Sequence, residues 1–223
     1  MVEITEIDRD EALRYLCCHD ENNIGETAGK YLDECESRLL GVISPKFLYR
    51  YFPLSFKDGV PVISGCTLAL NGSDIAAHLE GCSGVIVMCA TGGADRLIRR
   101  LQVEDMAKAV IADAFAGAAV EQVCAKAEEI IKKEFDGKYF TWRYSPGYGD
   151  FPINMQKQLL DVLDAPRKIG LCASGSSMLT PVKSVTAVMG VSDKPLPSKK
   201  RGCVTCNMRD VCRFRKRGTH CGF

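Results

Sequence analysis

The run Gly84-Val85-Ile86-Val87-Met88-Cys89-Ala90 carries no charged or amide side chain. Seven residues without alternation suit a strand buried along its whole length, which requires a sheet with other structure packed over it. Thr91-Gly92-Gly93-Ala94-Asp95 ends the run. Apolar residues then recur at three- and four-residue spacing as far as Ile131, with Leu97, Leu101, Val110, Phe115, Ala118, Val123, Ala127 and Ile130 on the expected buried face. Between Ala107 and Ala125 eight of the nineteen residues are alanine, with Gly117 among them, so other backbone can approach closely. The longest helix, and the scaffold of any site, is expected here. Gly92-Gly93 is followed by neither a dinucleotide fingerprint nor a P-loop lysine and reads as a turn.

The flanking elements are shorter. Asp8 and Glu11 form a capping box ahead of Ala12, Leu13 and Leu16, and a second helix is expected from Ile24 to Leu40, ended by Gly41. From Lys46 the period changes to two, and Asp58-Gly59 predicts a hairpin into Val60–Ile63. Ser73 is placed to cap a helix to Leu79, Lys138 to Tyr144 reads as a strand, Asn154 caps a helix to Leu163, and Val182 to Val191 is a β-branched strand. The elements lack a regular βαβ rhythm, so the fold class is α+β with a mixed, largely antiparallel sheet packed with helices. The chain divides into a main domain, residues 1–192, and a linker with a cysteine-rich tail, residues 193–223.

Composition is that of a globular protein, 46% hydrophobic and 26% charged. The start has no basic segment followed by an apolar run, and no stretch approaches the roughly 18 apolar residues of a membrane span. A cytoplasmic protein without membrane association is expected. Of 12 cysteines, Cys17, Cys18, Cys35, Cys66, Cys82, Cys89, Cys124 and Cys172 are scattered among apolar neighbours and read mostly as small buried hydrophobes. His19, His78 and His220 form no constellation with a nucleophile, so no catalytic acid, base or nucleophile is assigned.

The most informative segment is Arg143-Tyr144-Ser145-Pro146-Gly147-Tyr148-Gly149-Asp150-Phe151-Pro152. It places a fixed cation, stiff prolines, open glycine backbone and two tyrosines between a strand and a helix. Taken alone such a loop reads as a structural turn, and it also suits a zwitterionic ligand with a planar ring, the guanidinium meeting a carboxylate and Tyr148 packing on a ring or cation. The Arg-x-x-Pro-Gly-Tyr core resembles the signature of the activation (reactivation) domains of cobalamin-dependent methionine synthase. Asp113-Ala-Phe-Ala-Gly-Ala-Ala-Val-Glu121 and Leu179-Thr-Pro-Val-Lys-Ser-Val-Thr-Ala187 follow the family's order and spacing. The resemblance covers roughly residues 5 to 192, within the main domain.

That resemblance implies an S-adenosylmethionine site lined by Arg143, Ser145, Gly147 and Tyr148, with the backbone of Tyr144 and with Glu121 as the acidic helix residue meeting the ligand's ammonium or ribose. It implies an accessory role in the reductive methylation of cob(II)alamin. The cobalamin would be supplied by a partner, a methionine synthase core or another corrinoid protein, together with an electron donor. Val188-Met189-Gly190 stands where the family places a tyrosine and other aromatics, which removes one expected ligand contact.

The tail is chemically distinct. Lys199 to Phe223 holds eight Lys or Arg against Asp210 alone, leaving 21 basic and 27 acidic residues in the rest of the chain. Cys203-x2-Cys206-x5-Cys212-x8-Cys221 lies among residues too polar to form a core and is expected to bind metal. The spacing admits an iron–sulfur cluster or zinc. A nucleic-acid-binding ribbon is the competing reading of the basic tail, disfavoured because Phe214 and Phe223 are its only aromatics. A metal-containing redox or interaction module without S-adenosylmethionine binding is the alternative for the whole chain.

Overall fold

The computed structural model describes residues 2–18, 25–197 and 210–216. In chain order the elements are α1 (Arg9–Tyr15), α2 (Glu26–Leu40), β1 (Lys46–Lys57), β2 (Val60–Ile63), α3 (Ser73–Leu79), β3 (Gly84–Thr91), α4 (Asp95–Glu104), α5 (Met106–Glu134), β4 (Tyr139–Phe140), α6 (Met155–Leu163), α7 (Ala165–Ile169), β5 (Cys172–Ala173), β6 (Leu179–Thr180), β7 (Ser184–Ser192) and α8 (Arg213–Lys216). The main sheet runs β2-β1-β3-β7-β4 with every neighbouring pair antiparallel. The short strands β5 and β6 pair separately.

The apolar run becomes the central strand, and all eight residues of β3 are buried. Ile86 and Met88 face Ala127 and Ile131 of α5, while Val85, Val87 and Cys89 face the cluster built on α3 and α6. Burial of both faces explains the lack of alternation, even though the sheet is antiparallel. Asp58 and Gly59, at φ 51° and 79°, give the two left-handed positions that a two-residue hairpin turn requires.

The helical region from Asp95 is two helices rather than one. Asp105 is extended (φ −160°, ψ 107°), and its carboxylate accepts hydrogen bonds from the amides of Ala107 (3.0 Å) and Lys108 (3.3 Å), so an N-cap interrupts the apolar spacing. With the register reset there, Val110 and Ile130 face solvent, and Ala112, Phe115, Ala119, Val123, Ala127 and Ile131 form the buried stripe. Alanine lets α5 lie close to α1, α2 and α4, whose cluster includes Ala12, Leu13, Leu32, Leu39, Leu97 and Leu101.

Other expectations shift in detail. Asp8 does cap α1 through the amide of Glu11. Ser73 is the first residue of α3 rather than its cap; the carboxylate that satisfies this helix end comes from Asp150, far along the chain. Asn154 precedes α6 without a side-chain cap. The strand expected over 138–144 pairs as β4 and again at Tyr144, which bridges Val188. Of the eight scattered cysteines, Cys35, Cys82, Cys89 and Cys124 are buried, whereas Cys17 and Cys172 are exposed; none of the described cysteines forms a disulfide. No helix among the described residues is long and apolar enough to cross a membrane.

Candidate functional site

Arg143 lies at the end of the segment following β4, and its direction is set by α5. Its Nη2 donates to Glu121 Oε2 at 3.0 Å and its Nε donates to Glu128 Oε1. Residues 121 and 128 are seven apart, two helical turns, so both carboxylates lie on one face of α5, with buried Cys124 between them. The Arg143 side chain is 17% exposed. Burial disfavours its charge, but the neighbouring carboxylates of Glu121 and Glu128 outweigh that and hold its pKa above the ordinary value. Burial pushes the Cys124 thiol up to about 12. At neutral pH it is uncharged, and the two carboxylates hold the cation.

Glu121 also opens into a groove of about 360 Å³ between the end of α1, the middle of α5 and the start of β7. Leu16, Val110 and Val120 supply an apolar wall; Asp113, Glu121 and Lys183 supply charge. Lys183 Nζ bonds Asp113 Oδ2 at 2.8 Å. The ring of Tyr15 packs over Gly117, where a Cβ would stand in ordinary van der Waals contact, 3.4 Å from Tyr15 Cε2. The phenol of Tyr15 is raised to about 12 by burial and by the nearby carboxylates of Glu121 and Glu11, so it stays neutral.

The rest of the loop turns the other way. Tyr144 exchanges both backbone hydrogen bonds with Val188, at 2.9 Å each. Its ring packs beside His78 and Phe151, with centroids at 4.8 and 6.2 Å, and Tyr148 stands beyond it at 6.5 Å, 61% exposed. The amide of Gly147 donates to Phe151 O, and that of Tyr148 to Ser145 O. The structure therefore brings Arg143 and Glu121 together and sets Tyr144 and Tyr148 with the α3 side. Val188 and Met189 are fully buried in the cores, and Gly190 packs against Cys82. Sequence reading passed over Glu128, Lys183 and Tyr15; the seven-residue spacing of Glu121 and Glu128 was the available signal for the first.

Asp150 fastens the loop to α3. Its Oδ2 accepts from the amide and hydroxyl of Ser73, both at 2.6 Å, its Oδ1 accepts from the amide of Asp74 at 3.0 Å, and Asp74 Oδ2 accepts from the amide of Asp150 at 3.0 Å. Gly72, at φ 137°, permits this approach, since a Cβ there would meet Asp150 Oδ1 at 2.6 Å. The Ser73 hydroxyl, then the amides of Asp74 and Ser73, hold the Asp150 carboxyl below the usual range. A lowered folded-state pKa gives stability that is complete above the unfolded value, about 3.9, and is lost as pH falls through the folded one. Asp150→Ala is thus expected to melt at lower temperature than wild type at pH 7. The gap between the two should narrow below about pH 4; a gap independent of pH in thermal scans would assign the loss to packing instead.

Among the described residues no group of three or more His, Cys, Asp or Glu is placed to hold a metal ion. Cys212 is half-buried, and Cys203, Cys206 and Cys221 lie outside the described residues.

No family model matches the sequence, and no curated protein matches it. In three dimensions the chain is similar to the crystal structure of the MetH reactivation domain bound to AdoHcy, with a TM-score of 0.61 at 15% identity, over 96% of this chain and 82% of that one. At that identity the likeness is one of fold: the α+β arrangement of an antiparallel sheet packed against helices is shared with that reactivation domain.

Proposed function

We propose that this protein binds S-adenosylmethionine and serves as an accessory to the reductive methylation of cob(II)alamin carried by a partner, a methionine synthase core or another corrinoid protein. The observation that carries the reading is the Arg143 guanidinium laid along α5 between Glu121 and Glu128, with Glu121 opening into the groove. A ligand with an α-carboxylate, an ammonium and a sulfonium needs a fork-shaped cation beside carboxylates, and a groove of this volume falls at the lower end of the roughly 300–1,000 Å³ common for small-molecule sites. The pairing of Tyr144 with Val188 holds Arg143 in place; Ser145, Gly147 and Tyr148, ligand contacts implied by the sequence resemblance, do not line the groove and would meet only a part of the ligand that extends beyond it. The similar fold having been crystallised with AdoHcy supports the same ligand class.

Reductive methylation needs a methyl group and an electron delivered together, because methyl transfer from the sulfonium drains an otherwise unfavourable reduction. This chain contributes position and electrostatics rather than a nucleophile. Cys203, Cys206, Cys212 and Cys221 would be the thiolate ligands of an iron–sulfur cluster, which would supply electrons, with structural zinc as the alternative. Iron and labile sulfide in anaerobically purified protein would establish the cluster; zinc at one per chain would replace it.

The test of the ligand reading is a calorimetric titration. Wild type is expected to bind S-adenosylmethionine saturably. Gly117→Leu, which fills the groove, is expected to lose binding while keeping its helical circular dichroism. No heat from wild type at millimolar ligand would favour a metal-containing module without S-adenosylmethionine binding. The buried Val188-Met189-Gly190, where related domains carry aromatics, is the feature that supports that second reading.

A further inference from the structure

We propose that Glu128 is a positioning residue of this site: it fixes the Arg143 guanidinium so that the Nη side meets the ligand's carboxylate, while Glu121 is the carboxylate that gives way. The proposal rests on the S-adenosylmethionine reading above. The two glutamates hold the same guanidinium but are held very differently themselves. Glu128 is 18% exposed; its Oε1 accepts from Arg143 Nε, and its Oε2 accepts from Lys132 Nζ at 3.1 Å, one turn further along α5. Both oxygens are engaged by cations. Glu121 is 40% exposed, bonds Arg143 through Oε2 alone at 3.0 Å, and lines the groove.

A carboxylate arriving from the groove therefore competes with Glu121 and not with Glu128. Removing Glu128 from Arg143 would also strip a half-buried carboxylate of its better-shielded partner, whereas Glu121 can rehydrate as it moves. Glu121, once displaced, stays beside the groove and within reach of the ligand's ammonium. One carboxylate replaces another on Arg143, the released one meets the incoming ammonium, and the amino-acid end of the ligand adds no net charge. Cys124, a neutral thiol between the glutamates, adds no charge to this exchange.

The experiment compares two ligands on the full chain. S-adenosylmethionine has the amino-acid end that Arg143 reads; 5′-methylthioadenosine has the nucleoside and a thioether but no carboxylate or ammonium. Glu128→Ala is expected to weaken S-adenosylmethionine at least tenfold, about 1.4 kcal/mol, and to leave 5′-methylthioadenosine within about twofold of wild type. Glu128→Gln, whose amide oxygen still accepts from Nε, should recover most of the loss. Lys132→Met, which loosens Glu128 without removing it, should lose a few-fold on S-adenosylmethionine alone and keeps the test alive if Glu128→Ala folds poorly. Equal losses on both ligands would make Glu128 a structural ion pair, and no loss on either would remove it from the site; both overturn the proposal. A wild type that binds neither ligand defeats the underlying reading, and the proposal with it.

Discussion

Replacing Arg143 with Ala is expected to abolish measurable S-adenosylmethionine binding at micromolar ligand and to lower the unfolding free energy by about 2–3 kcal/mol, the cost of stripping a charged hydrogen-bonding partner from a largely buried site. The stability loss falls unevenly on the two carboxylates. Glu121 is 40% exposed and regains water when Arg143 is removed; Glu128 is 18% exposed and keeps only Lys132, itself 48% exposed. Full rupture of a buried pair would cost more, about 3–5 kcal/mol, so the exposure of Glu121 sets the lower figure. Arg143→Lys separates the two effects. A lysine retains the charge, and with it much of the stability, but it cannot donate from two edges of a planar fork. It is expected to melt close to wild type and still bind at least tenfold more weakly, about 1.4 kcal/mol. Chemical denaturation and calorimetry on the same preparations read both quantities. If Arg143→Lys binds as wild type does, the fork geometry is irrelevant and the site has been misassigned.

The sequence disclosed those parts of the fold that rest on local chemistry. Asp8 ahead of α1 and the Asp58-Gly59 turn follow from interactions within a few residues, and the apolar run of β3 is unbroken in the chain itself; the structure has each of them. It hid what depends on distant partners. Asp150 caps α3 from 77 residues away, so Ser73 was the natural local candidate for that cap. The break at Asp105 was masked because apolar spacing continues on both sides of it. At the site, Arg143 was legible as a fixed cation in a stiff loop, but its direction depends on the pairing of Tyr144 with Val188, which alternates Arg143 toward α5 and Tyr144 toward α3. No local pattern encodes that choice, and Tyr148 follows Tyr144 away from the groove.

Phe115→Ala is expected to cost about 4–5 kcal/mol, toward the upper end for truncating a buried aromatic. Its side chain is fully buried in the cluster that α5 forms with α1, α2 and α4, eight of whose buried members are alanines. Alanine has no rotamers with which to fill a void, so the cavity persists and the full penalty is retained. Against a total stability of about 5–15 kcal/mol, such a loss puts the chain near its unfolding threshold. The denaturant midpoint should fall with the slope unchanged. The cavity would lie in the cluster that also holds Ala12 and Leu13 of α1, the helix whose C-terminal end, at Tyr15 and the capping residue Leu16, walls the groove. Ligand and core are then linked. S-adenosylmethionine at a hundred times its dissociation constant should return about 2.7 kcal/mol to the variant, provided that the α1 wall still closes in the folded state. Recovery of that size in melts with and without ligand would show that the groove survives the cavity. A weaker rescue would show that Phe115 sets the position of α1, and through it the shape of the site.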